Sequence, residues 1–366
     1  VDFAIVGGGF SGLSAACWLR KFAPDRSVVV LEAGSLGDGA SGRTGGMTLG
    51  ETAAGDLPGL GDVLSGYQEI LRELRIDAQL ELPGVWELGR SNAAKDSLIS
   101  WSDSGELKGV RVIPGGTVDP GKVVAGLARV AENAGAQIAE HAKVWAVDTA
   151  KPVRLEVHEK WDGRVHRKRI QAEHALLTTN AYSLELSGLR IPAEPKLTLA
   201  LATAPLTATQ IEAIGLASGR PFYTIDLPYL WGRVLESNGV IFGAGLVPVP
   251  TSWPIRLSKG NQSKKRGAND LRRYEVGRGA AAERLEWLEH RVRHLHPELA
   301  SVGIRHRWGG PILLTEKMMP IFRRHPRSKQ VIVLGGYNGH GVALSAYLGK
   351  WAAEALLERR PLPSWQ

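Results

Sequence analysis

A single cysteine, Cys17, stands in 366 residues. One thiol forbids an intrachain disulfide and any cysteine-based zinc site, and it fits a reducing compartment. No apolar run reaches about 18 residues, so no transmembrane helix is visible. No internal repeat is found, and no metal site is expected. Charge is not of one sign: 45 Lys and Arg stand against 37 Asp and Glu, for a net +8. That balance suits an anionic ligand or cofactor but is too diffuse to imply nucleic acid by itself. With 43% hydrophobic and 22% charged residues, the chain has an ordinary globular composition. Disorder, collagen and coiled coil are thereby excluded as the main architecture. The length matches two to three domains as a soft prior and can bury more than one core. Val1 to Val6 already reads as a buried strand, so no signal peptide is expected ahead of the fold, and a cytoplasmic location is expected.

The opening reads as strand, glycine turn and helix: Asp2 to Val6, Gly7 to Gly12, then Leu13 to Phe22 with apolar residues at helical spacing. Ser27 to Leu31 is a second continuous apolar strand, as a buried parallel sheet requires. Together they form one βαβ unit. A stretch with nine glycines between Gly37 and Gly61 follows. Asp62 to Arg75 reads as an amphipathic helix. Asp119 is an N-cap and Pro120 the first helical residue of a helix to about Asn133. The alternation Arg154-Leu-Glu-Val-His158 predicts a half-exposed antiparallel strand. From about Ile191 to Gly303 strand-like pieces dominate: Lys196 to Thr203, Pro221 to Ile225, Tyr229 to Leu235 and Val240 to Gly243. Leu246 to Pro254, with three prolines, reads as a loop. Arg256 to Arg273 carries seven basic residues and one acid; it reads as a solvated loop, with a substrate-gating lid or an RNA contact as the alternatives. Gly279 to His294 and Gly341 to Arg359 are expected helices, and Ile304 to Trp308 and Gln330 to Leu334 expected strands.

Gly7-x-Gly9-x-x-Gly12 follows a strand and opens a helix. Its glycines serve the tight turn, the close backbone approach to a pyrophosphate and close helix–sheet packing. The helix N-terminus offers unpaired N–H groups to phosphate. Glu32 ends the second strand, 20 residues beyond Gly12, where a carboxylate can accept both ribose hydroxyls. This motif does not separate FAD from NAD; three further features bear on that. Gly39-Ala-Ser-Gly-Arg-Thr-Gly-Gly-Met47 leaves the second strand at the carboxyl edge, and Arg43 there could neutralise pyrophosphate or substrate charge. Gly335-Gly-Tyr-Asn-Gly-His-Gly341 is a second glycine turn feeding a helix, suited to the negative charge of a reduced flavin. Leu176-Leu-Thr-Thr-Asn-Ala-Tyr182 runs from a strand into a small polar turn.

These motifs resemble the D-amino acid oxidase-like family of FAD-dependent amine oxidoreductases, which includes glycine and sarcosine oxidases, and in particular its γ-glutamylputrescine oxidase branch. Ser41-Gly-Arg-Thr-Gly-Gly-Met47 and Gly336-Tyr-Asn-Gly-His-Gly-Val342 are similar to that branch's corresponding runs. Trp308-Gly-Gly-Pro-Ile-Leu-Leu-Thr315, followed by Pro320, resembles the family's Trp-x-Gly segment. The resemblance spans the chain, with its specific motifs near the two ends. It implies an α/β (α+β overall) fold: a Rossmann-like FAD-binding domain of the glutathione-reductase type (1–80, 115–185 and 304–366) with an inserted, mostly antiparallel β-sheet substrate domain (81–114 and 186–303). It implies non-covalent FAD, hydride transfer from the carbon beside an amine, and hydrolysis of the resulting imine. Carried over by motif, Gly7, Gly9, Phe10, Ser11, Gly12, Glu32, Ala33, Ser41, Arg43, Thr44, Gly45, Gly46, Met47, Val144 and Ala181 line FAD. Tyr337, Asn338, Gly339, His340, Gly341 and Val342 complete that lining.

The substrate pocket is expected to include the aromatic residues Tyr223, Tyr229 and Trp231, with Arg233 and Trp308. Catalytic candidates are Tyr337, His340, Lys317 and His306, and no general base is named. Amino-acid-oxidising members carry an arginine where Ile312 stands here, which argues against a simple D-amino acid; Arg307 and Arg233 could substitute. The expected partner is a small amine of the γ-glutamylputrescine type, with O2 or another carrier as electron acceptor. A D-amino acid or N-methylglycine enzyme is the alternative. A tRNA-modifying FAD oxidoreductase is a further one, but no RNA-binding module is recognisable and nucleic acid is not the expected partner.

Overall fold

The computed structural model describes residues 1–161, 164–182, 184–189, 191–248 and 276–365. In chain order the elements are β1 (Phe3–Val6), α1 (Phe10–Phe22), β2 (Val28–Leu31), β3 (Met47–Leu49), α2 (Val63–Glu73), β4 (Val85–Gly89), β5 (Ser100–Ser102), β6 (Glu106–Ile113), β7 (Gly115–Thr117) and α3 (Pro120–Asn133). There follow β8 (Gln137–Ala139), β9 (Ala142–Asp148), β10 (Val153–Trp161), β11 (Arg164–Ala172), β12 (His174–Leu177), β13 (Ala193–Thr203), α4 (Ala208–Ala213), β14 (Phe222–Thr224) and β15 (Leu230–Val234). The chain ends with β16 (Val240–Pro248), α5 (Gly279–Leu295), β17 (Ile304–Thr315), β18 (Ile321–His325), β19 (Ser328–Gly335) and α6 (Gly341–Leu356). It forms two compact units: Val1–Val85 with Pro114–Glu194 and Ile312–Gln366, and Trp86–Ile113 with Pro195–Pro311.

The first unit is built on a six-stranded sheet in the order β18-β19-β12-β1-β2-β8. Its last five strands pair in parallel, and β18 joins the edge antiparallel. Every residue of β1 and β2 is buried, which is why both read as unbroken apolar runs: a parallel strand has no solvent face. α1 and α6 pack together, with the Ser14 hydroxyl donating to the Ala346 carbonyl at 2.7 Å. α6 is buried on nearly every side and so carries almost no polar stripe. α3 starts where its sequence indicates: the Asp119 carboxylate accepts the Lys122 N–H, and Pro120 is the first residue. Asp62 caps α2 in the same way. A separate three-stranded antiparallel sheet, β11-β10-β9, buries Leu155 and Val157, as the alternation of residues 154–158 predicts.

The second unit is built on an eight-stranded sheet in the order β17-β13-β16-β15-β14-β4-β6-β5. Its β13–β16, β16–β15, β15–β14 and β5–β6 pairs are antiparallel, and β14–β4 is parallel. One face is a continuous apolar row, Leu201, Phe242, Gly232, Phe222 and Trp86, defined by cross-strand register. Trp101 packs edge-on against Phe222 at 4.9 Å, and its indole N–H donates to the Ile214 carbonyl. Leu288, Val292 and Leu295 of α5 join this core.

Two expected boundaries move. β16 continues through Leu246, Val247 and Pro248, which the prolines suggest to be a loop; Lys196 pairs with Pro248, and Val247 is buried against Leu197 and Leu199. β17 runs to Thr315, well beyond Trp308. The basic run 256–273 lies outside the described residues. Among the described residues, no helix is long and apolar enough to cross a membrane, and no cluster of His, Cys, Asp or Glu could hold a metal ion.

Candidate functional site

Four loops leave the carboxyl edge of the parallel sheet, the edge where open α/β sheets bind ligands. The turn after β1 is closed by backbone contacts: Gly7 donates to the Leu31 carbonyl, and Thr178, after β12, donates to the Val6 carbonyl. Gly7 has φ +112°, and a Cβ on Gly12 would lie 2.0 Å from the Gly7 oxygen. Neither position tolerates a side chain without moving backbone. Gly9 caps α1 without a side chain. The Phe10 N–H is met by the Ser41 hydroxyl at 3.0 Å, which brings the Gly39–Met47 loop to the helix start. The N–H groups of Ser11 and Gly12 make no hydrogen bond among the described residues. They form an anion-binding end of the kind that phosphates use.

Glu32 closes β2, and its two carboxylate oxygens accept the N–H groups of Gly8 (2.9 Å) and Gly34 (2.7 Å). These bonds fix the carboxylate at the turn and leave each oxygen capacity for a further donor. Arg43 reaches the Asp38 carbonyl at 2.9 Å and its carboxylate at 3.3 Å. Met47 begins β3, which pairs with β7. Gly46 accepts the Val118 N–H. Val144 is buried on β9 of the three-stranded sheet.

The second glycine turn leaves β19 on the same edge. Asn180 accepts the Gly336 N–H at 2.9 Å, beside Ala181. Asn338 sits at φ +55°, donates to the Gly336 carbonyl and accepts the Thr315 N–H at 2.7 Å. Asparagine tolerates this left-handed backbone. The Tyr337 hydroxyl meets the Ser11 hydroxyl at 2.5 Å; the two turns, 326 residues apart, are joined at the start of α1. Burial pushes the Tyr337 pKa up, so the phenol stays protonated. Burial also lowers the His340 pKa, against weaker opposing effects of the Asn338 carbonyl and the Glu51 charge. His340 precedes α6 and makes no side-chain cap, so α6 also presents open N–H groups.

Of the other catalytic candidates, Lys317 lies two residues beyond Thr315, whose N–H donates to Asn338 in the second turn. Lys317 is exposed in the turn before β18, and His306 is exposed on β17 in the second unit. The substrate candidates are all in the second unit. Register places Ala200, Gly243, Trp231, Tyr223 and Glu87 in one row across five strands, on the face opposite the apolar row. Arg233 and Ile241 belong to the next row. A Cβ on Gly243 would lie 2.1 Å from the Trp231 ring, so this glycine makes room for the indole. Trp231 and Trp308 pack on Ala200, Ala202 and Ile241. Tyr229 is half exposed at the start of β15, and its carbonyl accepts from Arg291. Arg307 is paired with Glu289 of α5, which occupies it as a carboxylate clamp. Sequence reasoning missed Glu87. Its signal is a lone charge inside the apolar strand Val85-Trp-Glu-Leu-Gly89.

Two uncapped helix starts on one edge of a parallel sheet, with an acidic residue closing the second strand, define a dinucleotide-binding fold. The FAD dependent oxidoreductase (DAO) family model matches residues 2–355, and the chain belongs to this family of enzymes. It is 26% identical over 398 residues to a probable oxidoreductase OrdL of Rhizobium meliloti (strain 1021), covering 97% of this chain and 83% of that one. It is 25% identical over 401 residues to gamma-glutamylputrescine oxidoreductase of Escherichia coli (strain K12), with the same coverage. The crystal structure of glycine oxidase from Geobacillus kaustophilus aligns with a TM-score of 0.68 at 19% identity, covering 98% of this chain and 95% of that one; this likeness shows the fold.

Proposed function

We propose that this FAD-dependent oxidoreductase oxidises a small primary or secondary amine of the γ-glutamylputrescine type, giving an imine that hydrolyses in water. The observation that carries the cofactor half is the meeting of two glycine turns through Ser11 and Tyr337, with an open helix start behind each. The donor set fits FAD: Ser11 and Gly12 N–H groups for the pyrophosphate, Glu32 for the ribose hydroxyls, and the start of α6 for negative charge at the ring end. Phe10, Ala33, Ser41, Thr44, Gly45, Gly46, Met47, Val144, Ala181 and residues 337–342 complete the proposed non-covalent lining within an FAD-binding domain. Bound FAD supplies the hydride acceptor.

The amine half is supported by the name of the gamma-glutamylputrescine relative and by the sheet face bearing Tyr223, Trp231, Arg233 and Trp308, proposed as the substrate surface. Ile312 stands where amino-acid-oxidising relatives of the resembled family place an arginine, so the clamp expected for an α-carboxylate is missing there. A neutral amine loses hydride without a strong base. His340 and Tyr337, both neutral near pH 7, therefore serve by position and hydrogen bonding rather than by taking a proton. The lone buried thiol, Cys17, accords with a cytoplasmic enzyme. Anaerobic addition of amines to purified yellow protein tests this reading. Bleaching of the flavin bands by γ-glutamylputrescine or N-acetylputrescine is expected. Bleaching by D-amino acids or N-methylglycine alone would replace it with the amino-acid alternative.

A further inference from the structure

Glu87 is the one carboxylate in a row otherwise made of Ala200, Gly243, Trp231 and Tyr223, and only 4% of it is exposed. A carboxylate taken out of water needs compensation, and here both oxygens have it. Oε1 is 2.5 Å from the Tyr223 hydroxyl, and Oε2 meets Arg111 Nε in an ion pair. Burial works to raise the Glu87 pKa, but the hydrogen bonds from Arg111 and Tyr223 and the Arg111 charge outweigh it, and the net shift is downward. Glu87 is therefore ionised at neutral pH. An ionised carboxylate only accepts, so the phenol proton of Tyr223 is committed to it. Any group that meets the Tyr223 oxygen from the sheet face must itself donate.

We infer that Glu87 is a positioning residue that makes Tyr223 an acceptor-only substrate contact, so that this face recognises its substrate through an N–H donor rather than a carboxylate. The inference rests on the amine reading and names the group that selects for it. Trp231, next in the row, presents an aromatic surface that an ammonium favours. Arg233, in the adjacent row, is a cation on the same face, and an anion reaching it makes a separate contact that substitution of Glu87 leaves in place. The hydrogen bonds that hold the two glycine turns run among residues of the first unit, so flavin content is expected to survive substitution of this pair.

The test uses wild-type holoenzyme, Glu87→Gln, Tyr223→Phe and the double variant. Two probes of matched shape are N-acetylputrescine and N-acetyl-4-aminobutyrate, with binding read from perturbation of the flavin bands and reduction read anaerobically. Wild type is expected to bind the amine about tenfold more tightly than the acid, and Glu87→Gln, which frees the phenol proton, to erase most of that preference. Each single substitution is expected to weaken amine binding by about tenfold, with limiting flavin reduction changed less than about twofold. The double variant is expected to lose about tenfold, not about a hundredfold, because both changes break one contact. Unchanged flavin content and melting temperature separate this from misfolding. Additive losses, an unchanged amine–acid preference in Glu87→Gln, or a wild type that prefers the acid would each overturn the inference. These readouts need no turnover. If no amine bleaches the flavin, the amine reading fails while the binding preference still decides the role of Glu87.

Discussion

Gly12→Ala probes the contact on which the cofactor turn depends. The new Cβ would lie 2.0 Å from the Gly7 oxygen, 2.9 Å from Thr178 Oγ1 and 3.1 Å from Ile5 Cγ2. The threonine can rotate only by giving up its bonds to the Val6 and Gly7 carbonyls, and the Gly7 carbonyl is held because the Gly8 N–H of the same peptide plane donates to Glu32 at 2.9 Å. A carbon and an oxygen rest roughly 3.3 Å apart, so the start of α1 must withdraw by about 1.3 Å. Overpacking of this kind costs about 1–3 kcal/mol, or about 5- to 150-fold in the equilibria that absorb it. Two equilibria share the cost. Folding loses about 1–2 °C in melting temperature per kcal/mol at this chain size. FAD binding loses the proposed approach of the Ser11 and Gly12 N–H groups, and its Kd is expected to rise by about tenfold or more. The assay is titration of flavin-stripped protein with FAD, read by quenching of flavin fluorescence, beside thermal melts of the apo form. Gly121→Ala on α3, where the nearest atom is Asp119 Oδ1 at 3.3 Å, serves as the control and should change little. A Gly12→Ala protein with wild-type Kd and melting temperature would refute the reasoning.

Further outcomes follow from other contacts. Asp103→Ala strands Arg291, which now holds both carboxylate oxygens at 2.6 and 3.0 Å with only 7% and 11% of the two side chains exposed. A loss of about 3–5 kcal/mol in urea unfolding is expected, whereas Glu69→Ala, breaking an exposed pair with Arg72, should cost under about 1 kcal/mol. Glu32→Ala removes the acceptor of the Gly8 and Gly34 N–H groups and, with it, the proposed ribose contact, and should weaken FAD binding by about tenfold or more. His325 is buried, its Nδ1 accepts the Arg327 N–H, and burial lowers its pKa. Protonation therefore favours the unfolded chain: the contribution of His325 is present above the ordinary histidine value of 6.5 and is lost as pH falls below it. Urea midpoints at pH 8 and 5.5 should differ less in His325→Gln than in wild type; an equal difference would remove His325 from the account. Cys17, whose thiol burial pushes up to about 12, should resist alkylation in native protein and react once unfolded.

The first βαβ unit was legible because every residue of its strands is buried, which leaves four-residue apolar runs on either side of a fixed glycine spacing. Asp119 and Pro120 marked a helix start by chemistry that does not depend on the rest of the fold. β16 was harder: Pro248 stands at the strand end, and what keeps Leu246 and Val247 extended is pairing with β13, about 50 residues earlier. α4 carried a readable signal in Thr207 and Gln210, which form a capping box, but it is too short to show a hydrophobic period. That each glycine run forms a turn feeding a helix could be read from its spacing. The bond from Ser11 to Tyr337 and the service of Asn180 to Gly336 could not, since both depend on β12 pairing with β1 on one side and β19 on the other, strands remote in sequence. Glu87 shows the same limit on the proposed substrate face. Its charge was visible within an apolar strand, while its partners Tyr223 and Arg111 are defined only by the sheet.

β1, near the start of the chain, occupies an interior place in its sheet, between β2 and β12, and α1 packs on α6, which ends at Leu356. During synthesis the opening strand has one neighbour within about 30 residues but waits for residue 177 for the other. The first helix waits for its mate α6, which begins only at Gly341. A chain grown only through α3 therefore carries the first glycine turn without the turns after β12 and β19 beside it, and tight capture of flavin is expected only once α6 has joined.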